Sequence, residues 1–300
     1  MENFLLSLEE KILKEDVPNL VPLLQEANDL LKEEPNYQSL KSDRPIVVIG
    51  DTHGDVKTTK KVVEKYLKTH TLVFLGDYVD RAPEHQGSIK NVSYILHNKI
   101  NNPEKIVMLR GNHEFEAVFQ RYGFGLELYP LDDDRTLLGN FKEVFSNLPY
   151  VATTENGVLA LHGGIPDISS VDELVSLPKG IFDYEDDKAI LQIVWNDNIQ
   201  DAKMKLGPEG FVGGNRGGDE RFLTYGEPYF SNKMRMLGKK ILLRAHDYRE
   251  KGYSLNDKIL TIFTATQYAD RGRLKGAYVA ILDPQAEIKT AKDLKIEKII

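Results

Sequence analysis

Short apolar runs alternate with longer amphipathic stretches through the first half of the chain. Phe4–Lys14 and Leu20–Glu33 repeat their apolar residues at helical spacing, and Pro35 closes the second, so two N-terminal helices are predicted. Pro45 then opens Ile-Val-Val-Ile, a β-branched run stopped by Gly50, which predicts a buried strand. The same grammar repeats in helix Lys57–Lys68, strand Thr71–Leu75, helix Gly87–Lys99 and strand Lys105–Leu109. Strands alternating with helices predict βαβ units and a sheet covered on both faces. Beyond a helix near Leu137–Leu148 the pattern turns strand-rich, with candidates at Tyr150–Thr153, Val158–Leu161, Lys240–Leu243, Ile259–Phe263 and Ala277–Leu282. Asn196–Gly226 is Gly-rich and polar and reads as a long surface loop or pair of loops, a length usually tied to function. No repeat or dividing linker is evident, so one main domain over 46–285 is expected. N-terminal helices (1–45) would pack on it, and a C-terminal tail (286–300) would follow.

Composition narrows the function classes. The 300 residues include no cysteine, so disulfides are impossible and any metal site must use His, Asp, Glu, Asn or water. A net charge of −7 argues against a nucleic-acid partner, which calls for a basic face. No run is apolar enough to span a membrane, and the first residues mix acids into their apolar positions without a basic leader, so no signal peptide and a cytoplasmic location are expected. Abundant Lys and Glu lean toward a thermophilic source.

The chemistry sits where the strands end. After Val47-Val48-Ile49 comes Gly50-Asp51-Thr52-His53-Gly54-Asp55, and after Val73-Phe74-Leu75 comes Gly76-Asp77-Tyr78-Val79-Asp80-Arg81. Leu109 is followed by Arg110-Gly111-Asn112-His113-Glu114, Leu161 by His162-Gly163-Gly164, and Arg244 by Ala245-His246-Asp247. Sites in open α/β sheets form beyond the carboxyl ends of strands, so neighbouring strands would gather these side chains. Asp51, His53, Asp77, Asn112, His162 and His246 make a mixed oxygen and imidazole set too large for one tetrahedral ion. It suits two adjacent cations sharing a carboxylate, with Asp77 as the natural bridge. Without a thiolate, manganese is the first expectation, with iron or zinc as alternatives. A hydroxide held between two such ions would attack phosphorus directly, and no side-chain nucleophile is needed. His113 is placed to protonate the leaving alkoxide, with Asp80 orienting it. Arg81 supplies a fork-shaped cation for the phosphate. A second is expected from the Gly-rich loop, with Arg216 the leading choice and Arg221 the fallback.

Taken in order and spacing, Gly50–Gly54, Gly76–Arg81, Leu109–Glu114, His162–Gly164 and Arg244–His246 resemble the signature blocks of the phosphoprotein phosphatase (PPP) family. These are the metal-dependent serine/threonine phosphatases of the calcineurin-like metallophosphoesterase superfamily. The likeness runs from about residue 20 to 283, and Tyr122-Gly-Phe124, Phe145–Pro149 and Trp195-Asn-Asp197 fit as well. It implies an α/β (α+β) fold, a central β-sandwich of mixed sheets flanked by helices, with the site at the sandwich edge. It implies the ligand set above, His113 as acid paired with Asp80, and Arg81 with Arg216 as phosphate clamps. Tyr268, in Thr264-Ala-Thr-Gln-Tyr268, falls where the family carries a loop tyrosine over the site, and phosphorylated proteins are the implied partners. Three departures stand out: Ala82 after Arg81, Arg216-Gly-Gly-Asp-Glu-Arg-Phe222 in place of the family's Arg-Gly-Val-Ser, and a loop before Tyr268 without its Pro and Asn. A prokaryotic member is the expected origin.

Two other functions compete. One is a small-molecule phosphoesterase such as a diadenosine tetraphosphate hydrolase; Glu114, where such hydrolases carry Asp, speaks for the protein phosphatase. The other is a non-catalytic phosphoprotein-binding scaffold, which the complete ligand set disfavours. Asp132–Asp134 reads as a solvated turn, and His70, His85 and His97 as ordinary helix and loop surface.

Overall fold

The structure, a computed structural model, describes residues 17–131, 135–199, 204–214, 216, 218–248, 252–268, 272, 274 and 276–300. The helix expected over Phe4–Lys14 and the acidic turn Asp132–Asp134 lie outside these residues. The first described helix, Val17–Glu33, is followed by β1 (Tyr37–Leu40) and β2 (Ile46–Ile49). Helix Val56–Tyr66, β3 (Thr71–Phe74), helix Gly87–Asn101 and β4 (Ile106–Met108) continue the alternation. After the helices Glu116–Tyr122, Phe124–Leu128 and Thr136–Ser146 come β5 (Val151–Thr154) and β6 (Val158–Ala160). Helix Lys188–Trp195 leads into β7 (Asp197–Asn198), β8 (Phe211–Gly213) and β9 (Leu223–Tyr225). Helix Glu227–Met236 precedes β10 (Ile241–Arg244), β11 (Gly252–Ser254), β12 (Ile259–Thr261), β13 (Tyr278–Leu282) and β14 (Lys295–Lys298).

Two mixed sheets carry the fold, in the orders β1-β5-β6-β10-β12-β11 and β14-β13-β2-β3-β4. Because side chains alternate along a strand, Ile46, Val48, Val73 and Leu75 face one way and meet Ala160, Leu243, Leu260 and Ile262 of the other sheet in one buried cluster. Their neighbours Val47, Ile49, Leu72 and Phe74 face the opposite way, against the helices. The strands are buried on both faces, which is why they read as continuous apolar runs rather than alternating ones. The outer face of the larger sheet, with Leu159, Leu161 and Leu242, packs against Ile190, Ile193, Phe230 and Met234 of two covering helices. The architecture is the sandwich of mixed sheets flanked by helices that the motifs implied.

Several elements depart from the sequence reading. Asn196–Gly226 is not loop alone: its described residues include β7, β8 and β9, a small third sheet of order β7-β9-β8. The segment set apart as a C-terminal tail ends in β14, which pairs antiparallel with β13, so it completes the five-stranded sheet. The segment taken as N-terminal helices also carries β1, which pairs parallel with β5 at the edge of the other sheet. No helix among the described residues is long and apolar enough to cross a membrane.

The two sheets close together where β2 and β12 end. Asp51 and Phe263 form a parallel bridge, Thr264 N–H donates to the Asp51 carbonyl at 3.0 Å, and Gly50 N–H donates to Thr264 Oγ1 at 2.9 Å. A Cβ on Gly50 would lie 2.1 Å from the Ile262 carbonyl oxygen, so only glycine lets the strands approach this closely. This junction sets the edge of the sandwich where the functional side chains gather.

Candidate metal centre and phosphate site

Each motif leaves its strand through a turn that aims a side chain inward. His53, Asp77 and His246 have positive φ angles of 40°, 56° and 74°. Non-glycine residues avoid that region unless the surroundings enforce it, and such strain concentrates at functional sites. The enforcement here is visible. Thr52 and His53 N–H both donate to the Asp77 carbonyl, at 3.1 and 2.9 Å, and Gly54 N–H donates to the Tyr78 carbonyl at 2.9 Å. Beneath the two loops the buried Asn91 amide donates to Thr52 Oγ1 and to the Tyr78 carbonyl.

The six expected ligands come together. His162 Nε2 lies 2.9 Å from Asn112 Oδ1, 3.1 Å from His246 Nδ1 and 3.3 Å from Asp77 Oδ1, and His246 Nδ1 lies 2.9 Å from Asn112 Oδ1. On the other side of Asp77, His53 Nε2 is 3.6 Å from Asp77 Oδ2 and 3.9 Å from Asp51 Oδ2. Asp77 thus faces both groups, one oxygen toward each. Gly111 makes room for it, since a Cβ there would sit 2.2 Å from Asp77 Oδ1.

The second atom of most ligands is tied to main chain. His53 Nδ1 donates to the Val79 carbonyl and His162 Nδ1 to the Leu75 carbonyl, both at 2.9 Å, which leaves each Nε2 with its lone pair turned inward. Asp51 Oδ1 accepts from His246 N–H and Asp77 Oδ1 from His113 N–H, both at 3.0 Å. Asp51 Oδ2, His53 Nε2 and His246 Nε2 are buried with no hydrogen-bond partner among the described residues. Buried polar atoms are rarely left so. Asp51 Oδ2 and His53 Nε2 lie 3.9 Å apart beside Asp77, as donors to a shared cation would, whereas His246 turns Nδ1 rather than Nε2 to the cluster.

The electrostatics say the same. Burial and the neighbouring Asp77 charge push Asp51 up to about 7, and the same two causes push Glu114 up to about 8. Burial would raise Asp77 as well, but the His162, His113 and His53 imidazoles around it hold it low. Burial drives His53 and His246 well below the usual histidine value. Crowded carboxylates beside histidines, of which burial keeps His53 and His246 neutral, are a site short of positive charge, and divalent cations match these donors. Glu114, which motif reading used only to choose between substrate classes, is a brace. Its carboxylate accepts from Asp77, Tyr78 and Gly111 N–H at 2.7–2.9 Å and so fixes two motif turns against each other.

Beside this cluster His113 and Asp80 form a pair, with His113 Nδ1 2.6 Å from Asp80 Oδ2. The other end of the ring, Nε2, lies 3.9 Å from Asp77 Oδ2. Arg81 donates through Nη1 to the Tyr268 hydroxyl, and its guanidinium lies 4.6 Å from the centroids of both Tyr122 and Tyr268. Tyr268 in turn packs edge-on to His53 at 5.1 Å. Arg216 is held differently. Its Nε and Nη2 donate to Asp197 Oδ2 and Oδ1 at 2.5 and 3.1 Å, and its charge is among the influences lowering His246. Asp197 also accepts from the fully buried Arg244 at 2.7 Å. Arg221, the alternative second clamp, is bound to Asp219 and Glu185, with nearly half of its side chain exposed. Tyr122 and Asp197 are the contributors sequence reasoning passed over. Both lie in blocks already marked by their neighbours, Tyr122-Gly-Phe124 and Trp195-Asn-Asp197.

With this geometry in view, comparison with known proteins is direct. A family model for calcineurin-like phosphoesterases matches residues 44–249. A protein phosphatase 2A catalytic subunit of Dictyostelium discoideum is 31% identical over 258 residues, covering 83% of this chain and 78% of that protein. A solved protein serine/threonine phosphatase from Saccharomyces cerevisiae, described as similar to human phosphatase PP5, superposes with a TM-score of 0.79 at 24% identity, covering 94% of this chain and 89% of that one. A cold-active protein-tyrosine phosphatase from a psychrophilic Shewanella shares the fold at a TM-score of 0.55 and 14% identity, over 91% and 84% of the two chains. The chain belongs to the calcineurin-like metallophosphoesterases and, within them, to the phosphoprotein phosphatase family. It is accordingly a metal-dependent hydrolase of phosphate esters. The Dictyostelium and Saccharomyces relatives are eukaryotic and lend no support to a prokaryotic or thermophilic source.

Proposed function

We propose that this protein removes phosphate from phosphoserine and phosphothreonine in proteins. The observation that carries the reading is the His113–Asp80 pair standing against the ligand cluster. Asp51, His53, Asp77, Asn112, His162 and His246 would hold two divalent cations, manganese first among them, with Asp77 facing both. When bound, such a pair supplies charge neutralisation for the phosphoryl group and acidifies water to a nucleophile. The side chains do the rest. Arg81 has five N–H donors and spends one on Tyr268, so the others remain for phosphate oxygens. Arg216, neutralised in part by Asp197, is the second clamp, and Tyr268 lines the substrate side. Asp80 keeps His113 oriented with its proton-bearing Nε2 toward the ester oxygen. A serine or threonine alkoxide is a poor leaving group, and a dedicated acid is what its departure requires.

The relatives named as serine/threonine phosphatases support this substrate class, and no observation favours a dinucleoside polyphosphate. Phosphorylated proteins are thus the partners we assign, and a cytoplasmic location suits them. The test is a direct competition. With manganese present, the protein should release phosphate from a phosphothreonine peptide far faster than it cleaves diadenosine tetraphosphate. The reverse preference would refute the substrate assignment.

A further inference from the structure

We infer that Ser88 and Glu127 form a strut that positions the Asp80–His113 pair and the Arg81 turn, an inference that rests on the proposed role of His113 as the acid. Asp80 and Arg81 are consecutive residues at φ 68° and 57°, a left-handed turn that side-chain-bearing residues disfavour. It is pinned from outside. Asp80 N–H donates to Ser88 Oγ at 3.0 Å, and Arg81 N–H donates to the Tyr122 carbonyl at 3.3 Å.

Ser88 Oγ donates in turn to Glu127 Oε1 at 2.5 Å, while Ser88 N–H donates to Glu127 Oε2 at 3.0 Å. A hydroxyl has one proton. With that proton committed to the carboxylate, a lone pair is left to receive Asp80 N–H, so Glu127 dictates how Ser88 works. Glu127 belongs to the helix Phe124–Leu128, whose first residue donates its N–H to Asp80 Oδ1 at 2.8 Å. One short helix therefore grips Asp80 twice, at the carboxylate directly and at the backbone through Ser88. Asp80 Oδ2 is left for His113.

A plainer role is available, because Glu127 also accepts from Ile89 N–H at the start of helix Gly87–Asn101, whose N-cap residue Gln86 makes no side-chain capping bond. A cap changes stability alike for every substrate. A strut changes proton delivery, and only where the leaving group needs it.

The experiment uses the full chain loaded with manganese. Ser88→Ala should lower kcat on a phosphoserine peptide about ten- to a hundredfold, and on p-nitrophenyl phosphate less than about threefold, since the phenolate leaves without an acid. In a double-mutant cycle it should add little to His113→Asn, because lesions in one device do not sum. Glu127→Ala should behave like Ser88→Ala. In metal-free protein, the downfield proton resonance of His113 Nδ1–H should be present in the wild type, and lost or broadened in Ser88→Ala and Glu127→Ala. Equal losses on both substrates, or full additivity with a His113→Asn that is itself selective for the peptide, would overturn the strut alone. A His113→Asn that loses both substrates equally would overturn the acid assignment and the strut with it.

Discussion

Asp77 and Arg216, both assigned to the proposed site, are held by opposite means. Asp77 is buried at the end of a strand, with its N–H on Glu114 and one oxygen on His113 N–H. Asp51, His53 and His162 are likewise tied to main chain, so the cluster we assign to the cations is held in place by the backbone. Arg216 stands on the Gly-rich segment, about a quarter exposed, and among the described residues its side chain is held by Asp197. Arg81 lies between these cases, its backbone clamped but its guanidinium resting on Tyr268 and Tyr122. The lesson is a division of labour. A centre that must present fixed donors is made from strand ends and backbone, while the rim that meets varied substrates is made from side chains that exchange partners.

Substitutions should rank along that division. Asp77→Asn removes the carboxylate shared by the two ligand groups and should abolish both manganese retention and turnover, read by metal analysis and phosphate release; a variant that keeps two ions would undo the contrast. Arg81→Ala removes charge-assisted hydrogen bonds each of about 1.5–3 kcal/mol, so kcat/KM should fall roughly ten- to several hundredfold with metal content unchanged. Arg216→Ala should cost less, about three- to thirtyfold, because Asp197 already neutralises part of its charge. Arg221→Ala should stay within about twofold, its ion pairs with Asp219 and Glu185 being exposed.

A smaller effect concerns stability without metal. Asp51 at about 7, Glu114 at about 8 and His162 at about 9 all stand above their unfolded values. Burial opposes the His162 shift, but the Asp77 charge and hydrogen bond together with the Asp51 and Glu114 charges outweigh it. A group raised in the folded state loses its stabilising contribution as pH climbs through the folded value. His53 and His246, lowered in the folded state, act only below their unfolded value of 6.5. Between about pH 6.5 and 8 the metal-free protein should therefore melt at progressively lower temperature. Manganese should reverse the trend, since its ligands must be deprotonated. A metal-free melting temperature that rises over this window would contradict the crowded-carboxylate picture.

The sequence made the rigid half legible and left the rim obscure for a physical reason. β2, β3 and β4 are buried on both faces, so their β-branched runs and terminal glycines announce themselves, and the ligands follow at once. Edge strands carry no such mark. Tyr-Gln-Ser-Leu in β1 and Lys-Ile-Glu-Lys in β14 are polar and partly exposed, and their pairing comes from the sheet rather than from their own pattern. The bond between Asp197 and Arg216 was equally hidden, because it joins residues across the segment that folds into β7, β8 and β9. Likewise Glu114 reads as one more motif acid, and only the folded turns make it a brace.

The function assigned to this chain depends on six side chains holding two cations around Asp77. Equilibrium dialysis with manganese followed by elemental analysis, on the wild type and on Asp77→Asn, measures that occupancy without recourse to turnover. Two ions per wild-type chain, with loss from the variant, is the expected result. A wild-type chain that binds one ion or none, or an Asp77→Asn chain that still binds two, would refute the two-cation centre.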